Sequence, residues 1–380
     1  MKSCNSAIVM YVAHANTVRN CIFFIKSIRQ FGGKHSNIPV IVMYDRSANL
    51  NLNSLNLSGV SIFAFEVSEK YRNFPYSKKV HACAAAEELF TDVVDTLVYF
   101  DTEMIAVSDF KEIDLQADFD VSCRPVMLLN SVGISSDQSL DGYWKRIFSE
   151  LSVDEKKIPI LKAYVDEKEI LFYINCEAFV TRPELGIFRK WKRSFTNLLD
   201  DKKFITEYCT EKLSAIFLHQ AVLSATILSE VKESQIQWMK NNIVYSHLLH
   251  DRMPEAKKIS HSNEVSILCY DLYYAGNTEI VLRIPLDEQH FDWFVNTWCS
   301  YLKIKSGVFR EAGDCNTVLV ETQTGFIIID PSKTYGSNSW LALKFRNQPL
   351  EAVLFTHAHH DHWNGIDFWN ASDDTLIIIQ

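Results

Sequence analysis

The sequence has no surplus of positive charge. Its 38 Lys and Arg are outnumbered by 47 Asp and Glu, a formal net charge of −9. Neutralising a nucleic-acid backbone demands a basic stripe, so the balance argues against a nucleic-acid partner. No apolar run approaches the ~20 residues that cross a bilayer as a helix, and no membrane span is expected. The apolar run at residues 7–13 is short and stops at His14. It has no small-residue cleavage site, so it reads as a first core strand and not as a signal peptide. Paired cysteines are missing too: the nine are scattered singly, with no C-x-x-C among them. An odd, dispersed set suits thiols used as small apolar residues in a reducing cytosol, and a cytoplasmic location is expected.

What is present suits a soluble globular chain, with 47% hydrophobic and 22% charged residues. At 380 residues, two domains are the natural division. Residues 7–13 (AIVMYVA) have a buried-strand pattern. Asn16 or Thr17 can cap a helix whose apolar face carries Val18, Ile22, Ile25 and Ile28, and Gly32-Gly33 stops it. Residues 39–44 and 60–65 are further strands, separated by a polar loop. Strand–helix–strand alternation predicts a mainly parallel sheet with helices on its faces. The Ala-rich stretch 78–90 predicts a helix leading into a fourth strand at 96–100. Beyond it come a strand at 119–125, a loop at 130–141, and a strand at 171–180 interrupted by Asn175 and Glu177. A helix follows from Pro183, then a long helical region at 206–230, with later strands at 238–245 and 265–273.

Asp101 and Glu103 lie just past the carboxyl end of the fourth strand, where open α/β sheets bind ligands. Two such carboxylates suit one divalent ion that is also held by a diphosphate; the plain alternative is a solvated strand end. Residues 5–275 resemble a nucleotide-sugar-dependent glycosyltransferase of the GT-A type, near the glycogenin-like retaining families. The first strand and helix carry the resemblance, with Lys78-Lys79 at the head of the Ala-rich helix that ends in Glu87. Residues 99–103 (YFDTE) form a DxD-like motif. Residues 173–179 (YINCEAF) resemble the family's Asn-x-Gly strand, and residues 218–223 (LHQAVL) its D/E-Q-x-x-L helix. The resemblance implies a GT-A-like, Rossmann-like α/β fold with a mixed, mainly parallel sheet flanked by helices. It implies that Asp101 and Glu103 bind Mn²⁺ or Mg²⁺ and the diphosphate, that Lys79 neutralises phosphate charge, and that Asn175 belongs to the donor pocket. Gln220 would be catalytic, near the reacting sugar carbon. The partners implied are a nucleotide-sugar donor and an acceptor. For Lys79, a solvated helix-start lysine is the plain alternative. Glu103 replaces the second Asp, Glu177 the glycine, and His219 the acid before Gln220. His247, His250 and His261 are candidates for the family's late metal-binding histidine. These departures bear on activity more than on fold.

Residues 287–301 predict an amphipathic helix bridging two modules, with Trp293, Phe294, Trp298 and Tyr301 serving packing. From residue 308 the pattern turns to short strands and tight turns. A hairpin (317–321, 326–329) ends in Asp330, a helix covers 338–345, and a strand at 352–355 delivers Thr356-His357-Ala358-His359-His360-Asp361-His362. Neutral imidazole and carboxylate suit Zn²⁺. His357 and His359 point the same way from an extended segment and can share one ion; a turn then offers Asp361 and His362 to a neighbouring one. A surface His-rich loop is the alternative.

With Cys315-Asn316-Thr317 and Asp330, this stretch resembles the opening of a metallo-β-lactamase-fold hydrolase, an αβ/βα architecture. The resemblance implies one zinc on His357 and His359 and a second on Asp361 and His362. Asp361 is counted among the catalytic groups, and Asp330 would be an adjacent carboxylate. A metal-bound hydroxide would attack a small-molecule substrate. The family's remaining ligands fall later in its fold than residue 380, so a partial domain with weak zinc binding is expected, and residues 376–379 form an apolar edge.

The organisation expected is a transferase module at 1–276, a helical linker at 277–307 and an incomplete hydrolase module at 308–380. The leading expectation is an enzyme of two modules. A second is that the first module is a degenerate nucleotide- or glycan-binding domain that targets a metallo-hydrolase, which Glu177 and His219 favour. A third makes that module purely structural.

Overall fold

A computed structural model describes residues 5–110, 113–240, 243–270, 286–312, 315–332, 339–369 and 371–379. The expected strand end at Tyr273, the first part of the expected linker and the helix start at Asn338 lie outside them. The chain divides into two compact units, Met1–Ile259 with Glu264–Leu272, and Ser260–Asn263 with Tyr273–Gln380.

In the first unit, β1 (Ser6–Val12) runs into α1 (Ala15–Phe31). The cap falls at His14 and not at Asn16 or Thr17. Thr17 is instead the N3 partner of a capping box: its N–H donates to the His14 ring, and its hydroxyl accepts from the His14 N–H. Next come β2 (Val40–Asp45), β3 (Val60–Phe65), α2 (Glu69–Arg72), α3 (Ser77–Phe90) and β4 (Thr96–Phe100). They are followed by β5 (Met104–Ala106), β6 (Val121–Cys123), α4 (Gly142–Leu151), β7 (Ile160–Lys162), β8 (Glu169–Leu171) and β9 (Ala178–Thr181). Helices α5 (Ile187–Asp200), α6 (Lys202–Tyr208) and α7 (Lys212–Glu230) precede β10 (Ile236–Trp238), β11 (Val244–Ser246) and β12 (Ile267–Cys269).

Seven of these strands form one sheet, in the order β10-β6-β9-β4-β1-β2-β3. All neighbours are parallel except β9, which runs antiparallel to both β4 and β6. This is the mixed, mainly parallel sheet expected. Its central strands are apolar on both faces because helices cover both. On one face Phe24 of α1 meets Phe100 of β4 edge-on at 5.6 Å. On the other, Ala7, Val9, Leu97 and Tyr99 share a core with α3, α5 and α7. Trp191 of α5 is buried there at 1% exposure; truncating such a side chain to alanine costs about 3–5 kcal/mol. The chain leaves β1 for β2 on one side and later returns to β4 on the other. The crevice past the carboxyl ends of β1 and β4 is therefore the sheet's switch point.

Several expected elements are divided. The strand expected at 171–180 is split around residues 172–177 into β8 and β9. The helical region 206–230 breaks at Cys209, between α6 and α7. The strand expected at 238–245 is two strands in two sheets, β10 in the large one and β11 in a small sheet with β12 and β5. Helix α4 follows the loop expected at 130–141; Asp141 caps it by accepting from Trp144 N–H at 2.9 Å. One expectation about apolar runs needs correcting. Helix α7, at 19 residues, is long and apolar enough to cross a membrane by composition. Leu218, Ala221, Val222, Leu223, Ala225 and Ile227 are buried within the unit, as in a core helix.

The second unit contains α8 (Glu288–Leu302), β13 (Lys303–Lys305), β14 (Val308–Ala312), β15 (Asn316–Glu321), β16 (Phe326–Ile329), α9 (Trp340–Phe345), β17 (Leu350–Phe355), α10 (His360–Trp363) and β18 (Leu376–Ile379). Its six strands pair in chain order, antiparallel as far as β16 and parallel from β16 to β18. Phe294 and Trp298 of α8 are buried, and Trp298 lies 5.4 Å from Trp340 of α9, so the aromatic stripe does serve packing.

Candidate active sites

The carboxyl end of β4 carries a charge pair between a buried lysine and a partly buried aspartate. Lys79, on the first turn of α3, is 3% exposed and places its Nζ 2.8 Å from both Oδ1 and Oδ2 of Asp101. The Tyr99 hydroxyl donates to Asp101 Oδ1 at 2.7 Å. The ammonium also stands over the Tyr99 ring at 4.7 Å and the Tyr76 ring at 5.8 Å. Burial opposes the Lys79 charge, but the Asp101 carboxylate outweighs it and raises the ammonium above its ordinary value. Lys79 is thus a paired core cation and not a solvated helix-start lysine.

Cys176 joins this pair to α7. Its Sγ is 3.8 Å from Lys79 Nζ, 3.0 Å from His219 Nε2 and 3.3 Å from Gln220 Oε1. His219 Nδ1 lies 2.6 Å from the Ile216 carbonyl. That carbonyl accepts, so Nδ1 carries the proton and Nε2 is left as acceptor for the thiol. Burial, with Lys79 nearby, holds His219 well below its ordinary value, so the imidazole is neutral. Tyr76, at φ 58°, stacks on it at 4.1 Å. Burial pushes the Cys176 thiol up to about 11 against the lowering effect of Lys79. Lys79, Asp101 and Gln220, named from sequence, are therefore brought together. Tyr76, Tyr99 and Cys176 had no assigned role, since only the fold sets them around Lys79.

Glu103 and Glu177 take other partners. The Glu103 carboxylate lies 3.3 Å from Asn20 Nδ2 on α1. Glu177 forms a buried ion pair with Arg124, which explains how a carboxylate stands where the family motif has glycine. Asn175 Oδ1 accepts from Glu177 N–H at 2.8 Å, shaping the turn before β9. Of the late histidines, His250 is bonded to the Tyr245 hydroxyl at 2.6 Å and His247 is fully buried. A divalent cation does not fit Asp101 and Glu103 as they stand. The first carboxylate is already neutralised by a buried ammonium, and the second is turned to α1. Among the described residues no three His, Cys, Asp or Glu are grouped as a metal site.

A second cationic feature lies two strands along the same edge. Asp45, ending β2 and 1% exposed, is 3.2 Å from Lys78 Nζ and 3.7 Å from Arg72 Nε. Burial alone would raise the Asp45 carboxyl; hydrogen bonds from Ser47 and Lys78 outweigh it and hold it below the ordinary value. Three cations, Arg72, Lys78 and Lys79, thus face two carboxylates, Asp45 and Asp101.

In the second unit the histidines follow β17. The His357 ring lies 4.7 Å from that of His359 and 3.8 Å from that of His362. Asp361 Oδ2 is 3.6 Å from His362 Nε2. Asp330, at φ 51°, accepts from Thr356 N–H at 2.8 Å and Thr356 Oγ1 at 2.7 Å, and its Oδ2 is 3.0 Å from His362 Nδ1. Burial raises the Asp330 carboxyl, but these bonds prevail and hold it below its ordinary value. Here the donor set fits zinc in kind. Imidazoles and a carboxylate gather in one loop with no lysine or arginine paired to them among the described residues, and His359 is exposed. Gly365 closes the loop: its N–H donates to the Pro331 carbonyl at 2.9 Å, and a Cβ there would lie 2.4 Å from Ser332 backbone atoms.

No curated protein matches the chain. Among solved structures, the bifunctional glycosyltransferase WbbM, in its apo form, is 15% identical, with a TM-score of 0.46. That likeness covers 73% of this chain and 48% of the other, so this chain spans about half its length. Mouse xyloside xylosyltransferase 1, also apo, is 8% identical with a TM-score of 0.40, covering 70% of this chain and 98% of its own. Residues 310–377 match the metallo-β-lactamase superfamily. Residues 8–230, more than half of the chain, match the Rhodobacterales glycosyltransferase domain, and the chain belongs to that family.

Proposed function

We propose that residues 1–276 transfer a sugar from a nucleotide-sugar donor to an acceptor, and that residues 308–380 form a metallo-β-lactamase-like hydrolase module. The observation that carries the first part is the meeting of Lys79, Asp101, Cys176 and Gln220 at the switch point of the sheet. When the bond to the sugar breaks, negative charge grows on the departing diphosphate. The Lys79 ammonium, shared with Asp101, and the partly exposed Lys78 and Arg72 on the same edge offset that charge. Gln220 offers an amide to the sugar, and the neutral, locked His219 positions Cys176 and does not act as an acid. All eight described cysteines are free thiols, which supports a reducing, cytoplasmic setting.

In the second module His357, His359, Asp361 and His362 would hold zinc, with Asp330 fixing His362. Bound zinc supplies a hydroxide at neutral pH. The loop residues hold their rings beside one another, and Asp330 sets the orientation of the His362 ring.

The test of the first part is release of nucleoside diphosphate from UDP- and GDP-sugars. Turnover is expected, with Lys79→Ala and Gln220→Ala each lowering it by roughly 100-fold. A second reading, a binding module without turnover, is favoured by the Arg124–Glu177 pair and by the neutral His219. Saturable donor binding with no turnover of any donor would select it.

A further inference from the structure

The pairing of Lys79 with Asp101 has a consequence for how an anionic donor is held. The ammonium contacts both carboxylate oxygens at 2.8 Å, and the Tyr99 hydroxyl takes a further position on Oδ1. A dication arriving at Asp101 must displace an ammonium that is tethered beside it and is 3% exposed. Tyr76, Tyr99 and Cys176 lie against the ammonium, which leaves Lys79 little solvent to retreat into. Displacement would leave a buried positive charge next to a second one, which is strongly unfavourable. Glu103 gives one of its carboxylate oxygens to Asn20 Nδ2, at 3.3 Å.

We infer that Lys79 occupies the place of the divalent cation in this site, so that a nucleoside diphosphate binds without Mn²⁺ or Mg²⁺. The charge count supports the inference. Arg72 and Lys78 both face the single carboxylate of Asp45, an excess of one positive charge at the end of β2. Lys78 and Arg72 are about one-third exposed, at 30% and 33%, and keep donors open to a phosphate. The ligand class is a nucleoside diphosphate, and the inference rests on the transferase reading above.

Calorimetric titration of the full chain with UDP, GDP and ADP, in EDTA and again in excess Mn²⁺, tests it. At least one nucleotide is expected to bind with affinities equal within about twofold in the two buffers. Lys79→Met removes the resident cation, and its binding is expected to vanish in EDTA and to return with Mn²⁺. Asp101→Asn, which releases Lys79 from its carboxylate, is expected to bind more tightly in EDTA and provides a second variant should Lys79→Met fail to fold. Wild-type binding that requires Mn²⁺, or loss of metal-free binding in Asp101→Asn, overturns the inference while leaving the transferase reading intact. No binding of any nucleotide in either buffer overturns the transferase reading and the inference with it.

Discussion

The carboxylate of Glu87, wholly buried at the end of α3, accepts the main-chain N–H groups of Phe188 at 3.0 Å and Arg189 at 2.8 Å. One side chain thus satisfies two of the first-turn donors that open α5 and ties α3 to it. Burial raises the Glu87 carboxyl, and the bonds from Arg189 and Phe188 offset this only in part. The folded state therefore holds the Glu87 proton more tightly than the unfolded chain does. Its contribution to stability is fully present below the unfolded value and is lost as pH rises through the folded one. Urea midpoints followed by tryptophan fluorescence should fall as pH rises through the raised value of this carboxyl. Glu87→Ala, which orphans two N–H groups, should cost about 1–3 kcal/mol and abolish this part of the slope. A Glu87→Ala midpoint unchanged from wild type would sink the capping argument.

Gly365 approaches Pro331 and Ser332 so closely that no side chain fits. Gly365→Ala should push the loop after β17 away from the turn after β16. The Asp330–His362 contact would be lost, at a stability cost of about 1–3 kcal/mol. Zinc uptake, followed by a chromophoric chelator, should weaken in parallel with Asp330→Ala. Wild-type zinc affinity in Gly365→Ala would show that the loop tolerates the shift.

Because the loop offers two protein donors to each ion, His357 with His359 and Asp361 with His362, where a catalytic zinc has three, zinc should be held loosely even in the wild-type chain. Dialysis against metal-free buffer should strip it, and ester or lactam hydrolysis should be slight. Metal retained in stoichiometric amount after dialysis, measured by atomic emission, would contradict this.

Cys176 should resist alkylation in the native protein despite its neighbours. A thiol pushed up to about 11 and 5% exposed offers little thiolate and little access at neutral pH. Peptide mapping after iodoacetamide should find Cys176 unmodified until urea is added. Fast native labelling would mean that the crevice opens readily.

The parts of the fold that were legible in the sequence are those where a single local pattern decides the element. β1 and β4 are short apolar runs buried on both faces or nearly so, β3 is a half-buried one, and α3 is rich in alanine. Local pattern failed where a long-range partner intervenes. The 171–180 stretch breaks because Asn175 N–H bonds to the Arg124 carbonyl and Glu177 reaches the Arg124 side chain. Neither is visible from periodicity. The candidate site was half legible for the same reason: Lys79, Asp101 and Gln220 sit in recognisable stretches. That Lys79 and Asp101 would pair, with Glu103 turned to Asn20, is a matter of how α3 and α1 pack on the sheet.

The last strand gives the most direct test of the sheet in the second unit. β18 is at the edge, paired in parallel only with β17 among the described strands, and Leu376, Ile377, Ile378 and Ile379 are 59%, 53%, 43% and 68% exposed. Among the described residues both faces and one row of backbone donors and acceptors are open, the arrangement that templates pairing between chains. The protein should self-associate as concentration rises. Ile377→Lys with Ile379→Lys should suppress this without altering α5 or the first sheet, because a desolvated lysine opposes edge pairing. Sedimentation velocity over a tenfold concentration range supplies the measurement. A wild-type chain that stays monomeric throughout, or a double lysine variant that associates as strongly as wild type, would remove β18 as the cause.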